Sequence, residues 1–468
     1  MADPHVVVVG GGIAGLAAAV FLGDGPCRVT VLEASERVGG KLMPGEVGGV
    51  RVDLGAESVL ARRPEAVDLA RAVGLGGELE PPSTARAAIW TRGGLHPIPA
   101  GQVMGVPGDL DALAASGVLT PEGLARARDE RPGPPVDDDA TIGAYVASRL
   151  GQEVVDRLVE PLLGGVYAGQ TSEISLRAAV PQLLPIARDG GPLAAGVRRL
   201  TERAQGGGPV FQGIRGGIGT LPGAVAAHLA RAGAVVRTDS PVDELRRTPE
   251  GWRVVTRGEV LHADAVVLAV PAPQAAALLR PDAPAAAAEL AGIEYAGMAL
   301  VTMAFHRAEL AVPPEGSGLL VPPVDGRAIK AATFSSNKWG WLGAAAPGSF
   351  LLRTSLGRHR EEAVLGLPDE ELVARSLADL ERAVGLRARP YATAVTRWAG
   401  GLPQYPVGHL DRVGRIRAAV ARVGGLALCG AAYDGVGIPA CIAGARRAVN
   451  DVLTPAAGAA RTEGTMGA

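Results

Sequence analysis

Three glycines spaced as G-x-G-x-x-G follow an apolar run near the start of the chain: His5-Val6-Val7-Val8-Val9, then Gly10, Gly12 and Gly15. Four consecutive valines fit a parallel strand buried on both faces. After such a strand the first glycine permits a tight turn, the second lets a pyrophosphate approach the backbone, and the third lets helix pack closely on strand. Ile13 and Ala14 open the helix that follows, and its free N–H groups and dipole favour negative charge. Glu33 ends the next apolar run, Val29-Thr30-Val31-Leu32. A carboxylate there can accept hydrogen bonds from an adenosine ribose. Strand, glycine turn, helix and acid together predict a dinucleotide site.

Other chemistries find less support. The seven histidines are scattered, without HExxH or other metal-binding spacing, so no metal site is expected. Cys27, Cys429 and Cys441 have no CxxC spacing and read as small buried hydrophobes rather than a disulfide or zinc framework. Net charge is −2, which gives no reason to expect nucleic acid as a partner. With 468 residues, 47% hydrophobic and 20% charged, the chain can bury a large core in two or three lobes. No apolar run reaches the roughly eighteen residues a membrane span needs, and the start does not read as a signal peptide. A cytoplasmic protein is expected, with peripheral membrane contact left open. Basic charge is nearly all arginine, the lysines being Lys41, Lys330 and Lys338.

These patterns predict an α/β fold whose cofactor domain is discontinuous in sequence. Its first part covers residues 1–87. Residues 88–200 read as an inserted helical lobe, with Thr120-Pro121 starting one helix and Thr141 capping another that runs to about Leu163. Residues 201–272 return to the cofactor domain through a glycine-rich turn at 213–219, an alanine-rich helix and the apolar run Ala265 to Val270. Residues 273–398 carry antiparallel strand signals and a helix from about Asp369 to Val384, an inserted α+β domain to which the resemblance described next assigns substrate binding. Residues 399–454 return to the cofactor domain once more. The tail, 455–468, has no periodicity and reads as flexible.

A more specific resemblance lies in the segments after and between these elements. Arg37-Val38-Gly39-Gly40-Lys41 resembles the extended fingerprint of the flavin amine oxidase superfamily. Glu160-Pro161-Leu162-Leu163-Gly164-Gly165-Val166-Tyr167, Gly316 to Pro322, Thr333 to Trp339, Arg397-Trp398, and Cys429-Gly430 through Gly435-Val436-Gly437-Ile438 closely resemble the protoporphyrinogen and coproporphyrinogen III oxidase family, soluble bacterial type. The resemblance covers roughly residues 5–453. It implies a Rossmann-like domain holding non-covalent FAD, with Ala34, Gly55, Ala56, Glu57, Ser58, Val242 and Trp398 on the cofactor beside the residues already named. Lys41, where many relatives carry arginine, keeps the charge but loses the planar fork, which puts a bidentate phosphate contact in doubt.

The implied activity is oxidation of coproporphyrinogen III to coproporphyrin III in haem biosynthesis, in three two-electron rounds with dioxygen as acceptor and hydrogen peroxide as product. Protoporphyrinogen IX is the alternative substrate, and a transient contact with ferrochelatase is the implied partnership. Matching motifs residue by residue places Leu162, Gly164 and Gly165 on one wall of the substrate slot, with Ser317, Gly318 and Leu320 opposite and Ser355 nearby. The Gly165 carbonyl is the expected acceptor for pyrrole N–H groups. Arg62 and Arg63, just past Ser58, are candidates to pair with a propionate through charge-assisted forks. Two rival readings share the scaffold: a flavin amine oxidase, for which Lys330 and Lys338 are the only candidate active-site lysines, and a non-catalytic relative that binds a protein partner.

Overall fold

The computed structural model describes residues 3–131, 133–203 and 208–453, so the expected tail at 455–468 lies outside the described residues. At its centre is a five-stranded parallel sheet, in the order Val235–Arg237, Arg28–Leu32, His5–Val9, Ala265–Leu268, Leu426–Leu428. The valine run is buried on both faces as its composition demands. Val6 and Val8 pack among the helices Ile13–Gly23, Thr220–Arg231 and Ile438–Leu453, while Val7 and Val9 face Ala272–Leu279, Pro284–Ala291 and His409–Ala421. Gly15 makes the first of these contacts possible, because a Cβ there would stand 1.9 Å from the Gly10 carbonyl oxygen.

A seven-stranded sheet forms the second layer, in the order Ala392–Pro403, Tyr295–His306, Ser349–Leu356, Ile329–Thr333, Gly318–Leu320, Ala87–Thr91, Gly94–Pro97. The helix Asp369–Val384 covers it, with Leu372 and Leu380 in the core. All pairs are antiparallel except Gly318–Leu320 with Ala87–Thr91. A boundary at residue 88 therefore cuts through a strand of this sheet. Residues 88–97, read from sequence as the start of the helical lobe, belong with Ala87 to its outer hairpin. Arg92 and Gly93 turn that hairpin with φ of 53° and 77°, the primed geometry that suits strand twist.

The helical lobe is capped as its sequence requires: Asp109, Thr120 and Thr141 each accept backbone N–H groups at a helix start. The single helix expected from Thr141 to Leu163 is broken instead at Gly151, φ +99°. It resumes at Gln152 and, after a widened turn over Val155–Val159, ends at Tyr167 with Ala168 in the left-handed region. Arg157 ties this lobe to the sheet by pairing with both Glu153 (3.0 Å) and Asp325 (3.4 Å). Among the described residues no helix is long and apolar enough to cross a membrane.

Candidate flavin and substrate cavity

A cavity of about 1000 Å3 lies where the three lobes meet. Its floor is the end of the parallel sheet: Gly10, Gly12, Ile13, Ala14, Glu33 and Ala34 line it, and so do Gly39, Gly40 and Lys41. Gly12 has no heavy atom within 4 Å of where a Cβ would lie, and Gly430 and Gly437 at the opposite side have nothing there or only the Pro439 ring at 3.8 Å. Two helix starts, at Ile13 and Ile438, thus meet at open backbone. That shape suits a phosphate-bearing group, since bare N–H groups and two dipoles favour an anion. Glu33 is held by the Gly11 N–H (2.7 Å) and by the Ser35 N–H and hydroxyl (2.9 and 2.7 Å), and it lines the cavity.

Two of the expected cofactor residues, Gly15 and Arg37, act from behind the wall. Gly15 permits the helix contact described above. Arg37 donates to the Gly40 and Val38 carbonyls (2.8 and 3.3 Å) and so braces the Gly39–Gly40 turn. Gly430 supplies a left-handed turn, φ +128°, and Gly437 leads into the helix Ile438–Leu453.

Gly55, Ala56, Glu57 and Ser58 run along the cavity, as do Val242, Trp398, Val436 and Ile438. The Trp398 indole donates to the Leu54 carbonyl at 3.3 Å. Glu57 is fully buried yet ionised, because Lys338 (2.6 Å) and Arg353 (3.1 Å) hold its carboxyl below the usual carboxylate range against the cost of burial. Arg353 also donates to the Gly55 carbonyl (2.6 Å). Asp53, one turn earlier, accepts N–H groups from Ile218 and Gly219 (3.0 and 2.8 Å). Burial lifts its pKa to about 6. The glycine-rich turn at 213–219 thus anchors the cofactor loop rather than forming a second nucleotide site.

Of the expected substrate residues, Gly165 and Ser355 line the cavity. Gly165 sits in the last turn of Glu160–Tyr167, where the Ala168 N–H caps the Gly164 carbonyl at 2.7 Å. Among the described residues no backbone N–H reaches the Gly165 carbonyl. A methyl on Gly165 would approach Leu320 Cδ2 at 3.9 Å, so the two walls do face each other. Leu162 packs into the helical-lobe core, and the Ser317 hydroxyl donates to the Arg86 carbonyl (3.1 Å). Gly318 lets its strand pass 2.1 Å from the Ala332 carbonyl oxygen, measured from a would-be Cβ. Arg62 and Arg63 do not line the cavity: Arg62 is exposed, and Arg63 pairs with Glu65 at 2.5 Å.

Sequence reasoning gave Lys330 no role outside the amine oxidase alternative. It is buried, it lines the cavity, and its Nζ has no hydrogen-bond partner among the described residues. A register shift explains its position. Ile329 pairs with Leu356 and Ala331 with Ser355, so Lys330 is the extra residue of a β-bulge, which re-aims a side chain. One signal was available, since all three lysines of this arginine-rich chain line this one cavity.

Residues 13–453 match the sequence profile of the flavin-containing amine oxidoreductases. The chain belongs to that family. It is 38% identical over 461 residues to a coproporphyrinogen III oxidase of Mycobacterium bovis, covering 95% of this chain and 96% of the relative. It is 32% identical to the coproporphyrinogen III oxidase of Bacillus subtilis, covering 96% and 98%. A crystal structure from Exiguobacterium superposes with a TM-score of 0.85 at 34% identity, over 97% of this chain and 99% of that one. Cyclohexylamine oxidase of Brevibacterium oxydans shares the fold alone, with a TM-score of 0.70 at 19% identity over 96% of this chain and 98% of that one.

Proposed function

We propose that this protein binds FAD without a covalent link and oxidises coproporphyrinogen III to coproporphyrin III, with dioxygen as the final acceptor. The observation that carries the reading is identity of 32–38% over nearly the whole chain to coproporphyrinogen III oxidases, in a molecule whose phosphate-binding glycines are open. When bound, the flavin supplies hydride acceptance and its own reoxidation by dioxygen to hydrogen peroxide. The chain's part is to bind, orient and exclude water. Gly12, Gly437 and the two helix starts hold the pyrophosphate, and Glu33 holds the ribose. The apolar flank formed by Val166, Met298 and Leu300 takes the macrocycle face. The free Gly165 carbonyl accepts pyrrole N–H bonds and so sets which meso carbon faces the ring.

Cys441 is the thiol on the cavity wall, and burial pushes its pKa up to about 12. A thiol held protonated is a poor nucleophile, which supports a cofactor that acid or heat releases. Product release toward iron insertion, with a transient ferrochelatase contact, belongs to the same reading. Porphyrin fluorescence assays on both substrates test it. Higher kcat/KM for coproporphyrinogen III is expected, and equal or higher kcat/KM for protoporphyrinogen IX would transfer the assignment to the second substrate. That second reading has its own support, in a bovine protoporphyrinogen oxidase 29% identical over 96% of this chain and 98% of the relative.

A further inference from the structure

Lys330 is a buried amine without a counter-ion among the described residues. It is 5% exposed, stands on the cavity wall at a bulge, and makes no hydrogen bond among the described residues. The charged group that acts on it is Arg358, itself buried, whose guanidinium donates to the Val321 carbonyl at 3.1 Å. The carboxylates of this region are engaged elsewhere. Glu57 is held by Lys338 and Arg353, Glu160 by the Thr171 hydroxyl and N–H, and Glu361 lies 3.8 Å from Arg358 on the exposed side. A buried amine beside the Arg358 charge is costly in its ammonium form unless an anion joins it.

We propose that Lys330, backed by Arg358, is a carboxylate subsite that receives one peripheral propionate of the substrate. This rests on the porphyrinogen reading and deepens it, by placing the charged rim of the ring against the Ile329–Thr333 strand instead of against Arg62 and Arg63. Burial and the Arg358 charge push the Lys330 amine down to about 7. An arriving carboxylate restores the ammonium form, so binding above that pH takes up a proton from solvent. The proton passes to the lysine nitrogen, and no bond in the ligand changes.

The test compares wild-type holoenzyme with Lys330→Met and Lys330→Arg. With coproporphyrinogen III, Lys330→Met is expected to raise KM roughly 10–100-fold with kcat little changed, the range for losing a charged hydrogen bond. Lys330→Arg should recover most of that loss. Calorimetric titration with coproporphyrin III at pH 8, in buffers of different ionisation enthalpy, should show uptake of about one proton by the wild type and none by Lys330→Met. Unchanged KM and unchanged proton uptake in Lys330→Met would overturn the subsite. So would a loss confined to kcat, not recovered by arginine, which would make the amine a proton acceptor. Absence of wild-type turnover on either porphyrinogen would instead refute the functional reading, and the two failures are thereby separate.

Discussion

The floor and the roof of the cavity are built by opposite means. Around Gly12 and Gly437 the wall is bare backbone at two helix starts, open on the cavity side and held from behind by the close contact of Gly15 with the Gly10 carbonyl. Around Lys330, Lys338, Arg353 and Glu57 it is charged side chains reaching in from strands and loops far apart in sequence. A backbone wall binds a fixed ligand by shape and dipole, and a side chain added to it takes the space the ligand needs. A side-chain wall binds by charge, is desolvated at a cost to the fold, and can be retuned one residue at a time.

The sharpest way to break this contrast is a pair of alanines three residues apart. Gly15→Ala would press a methyl to 1.9 Å from the Gly10 carbonyl oxygen, and should lower stability by about 3 kcal/mol or more. Gly12→Ala meets open space and has an ordinary φ of −69°. It should leave the apoprotein as stable as before, or up to about 1 kcal/mol more so, while abolishing flavin binding. Thermal melts and the ratio of flavin to protein absorbance separate the two outcomes, and equal loss of stability in both variants would erase the distinction.

On the roof, Lys330→Met should stabilise the ligand-free protein by up to about 4 kcal/mol at pH 7. The sign follows from a folded pKa of about 7 against 10.5 unfolded. Only the unfolded chain holds the proton between these values, so the wild type is penalised as pH falls from 10.5 to 7 and the penalty is constant below. The advantage of the methionine variant should therefore shrink on raising the pH from 7 toward 10. Denaturant midpoints across that range check it, and a pH-independent difference would mean that lysine is not neutral in the fold.

Much of the floor could be read from sequence because it is local. Strand, turn, helix and acid lie within residues 5–33, and the helix Asp369–Val384 has the boundaries its periodicity gave. The hairpin at 87–97 escaped because its turn is Arg92-Gly93 rather than Asn-Gly. Lys330 escaped because strict alternation would put it on the face of Ala332, in the sheet's own core, and a bulge leaves no mark in a single sequence. Arg62 and Arg63 looked apt by nearness to Ser58 along the chain, but the backbone turns away after Leu60 and joins Val59–Leu60 to Phe211–Ile214.

Two smaller effects sharpen the comparison. Glu33→Ala should weaken flavin binding by about 2 kcal/mol, read by titrating apoprotein with FAD; unaltered affinity would remove Glu33 from the ribose site. The double variant Arg62→Ala, Arg63→Ala should change stability by less than about 1 kcal/mol and leave KM for coproporphyrinogen III unaltered. A several-fold rise in KM would return these arginines to the substrate.

The order of strands in the parallel sheet governs how the chain can be made. His5–Val9 is covered on one side by Ala265–Leu268, which is in turn covered by Leu426–Leu428, and Ile438–Leu453 packs on Ile13–Gly23. A ribosome delivers His5–Val9 and its neighbour Arg28–Leu32 together, long before the strand on the other edge exists. That edge must wait, in contact with chaperones or water, until Ala265–Leu268 is made, and the cover supplied by Ile438–Leu453 comes only near the end of translation. The inserted lobes carry their own cores and can settle in the interval. Cofactor capture is then the closing event of biosynthesis, and shortage of flavin would be felt first in newly made chains rather than in the standing pool.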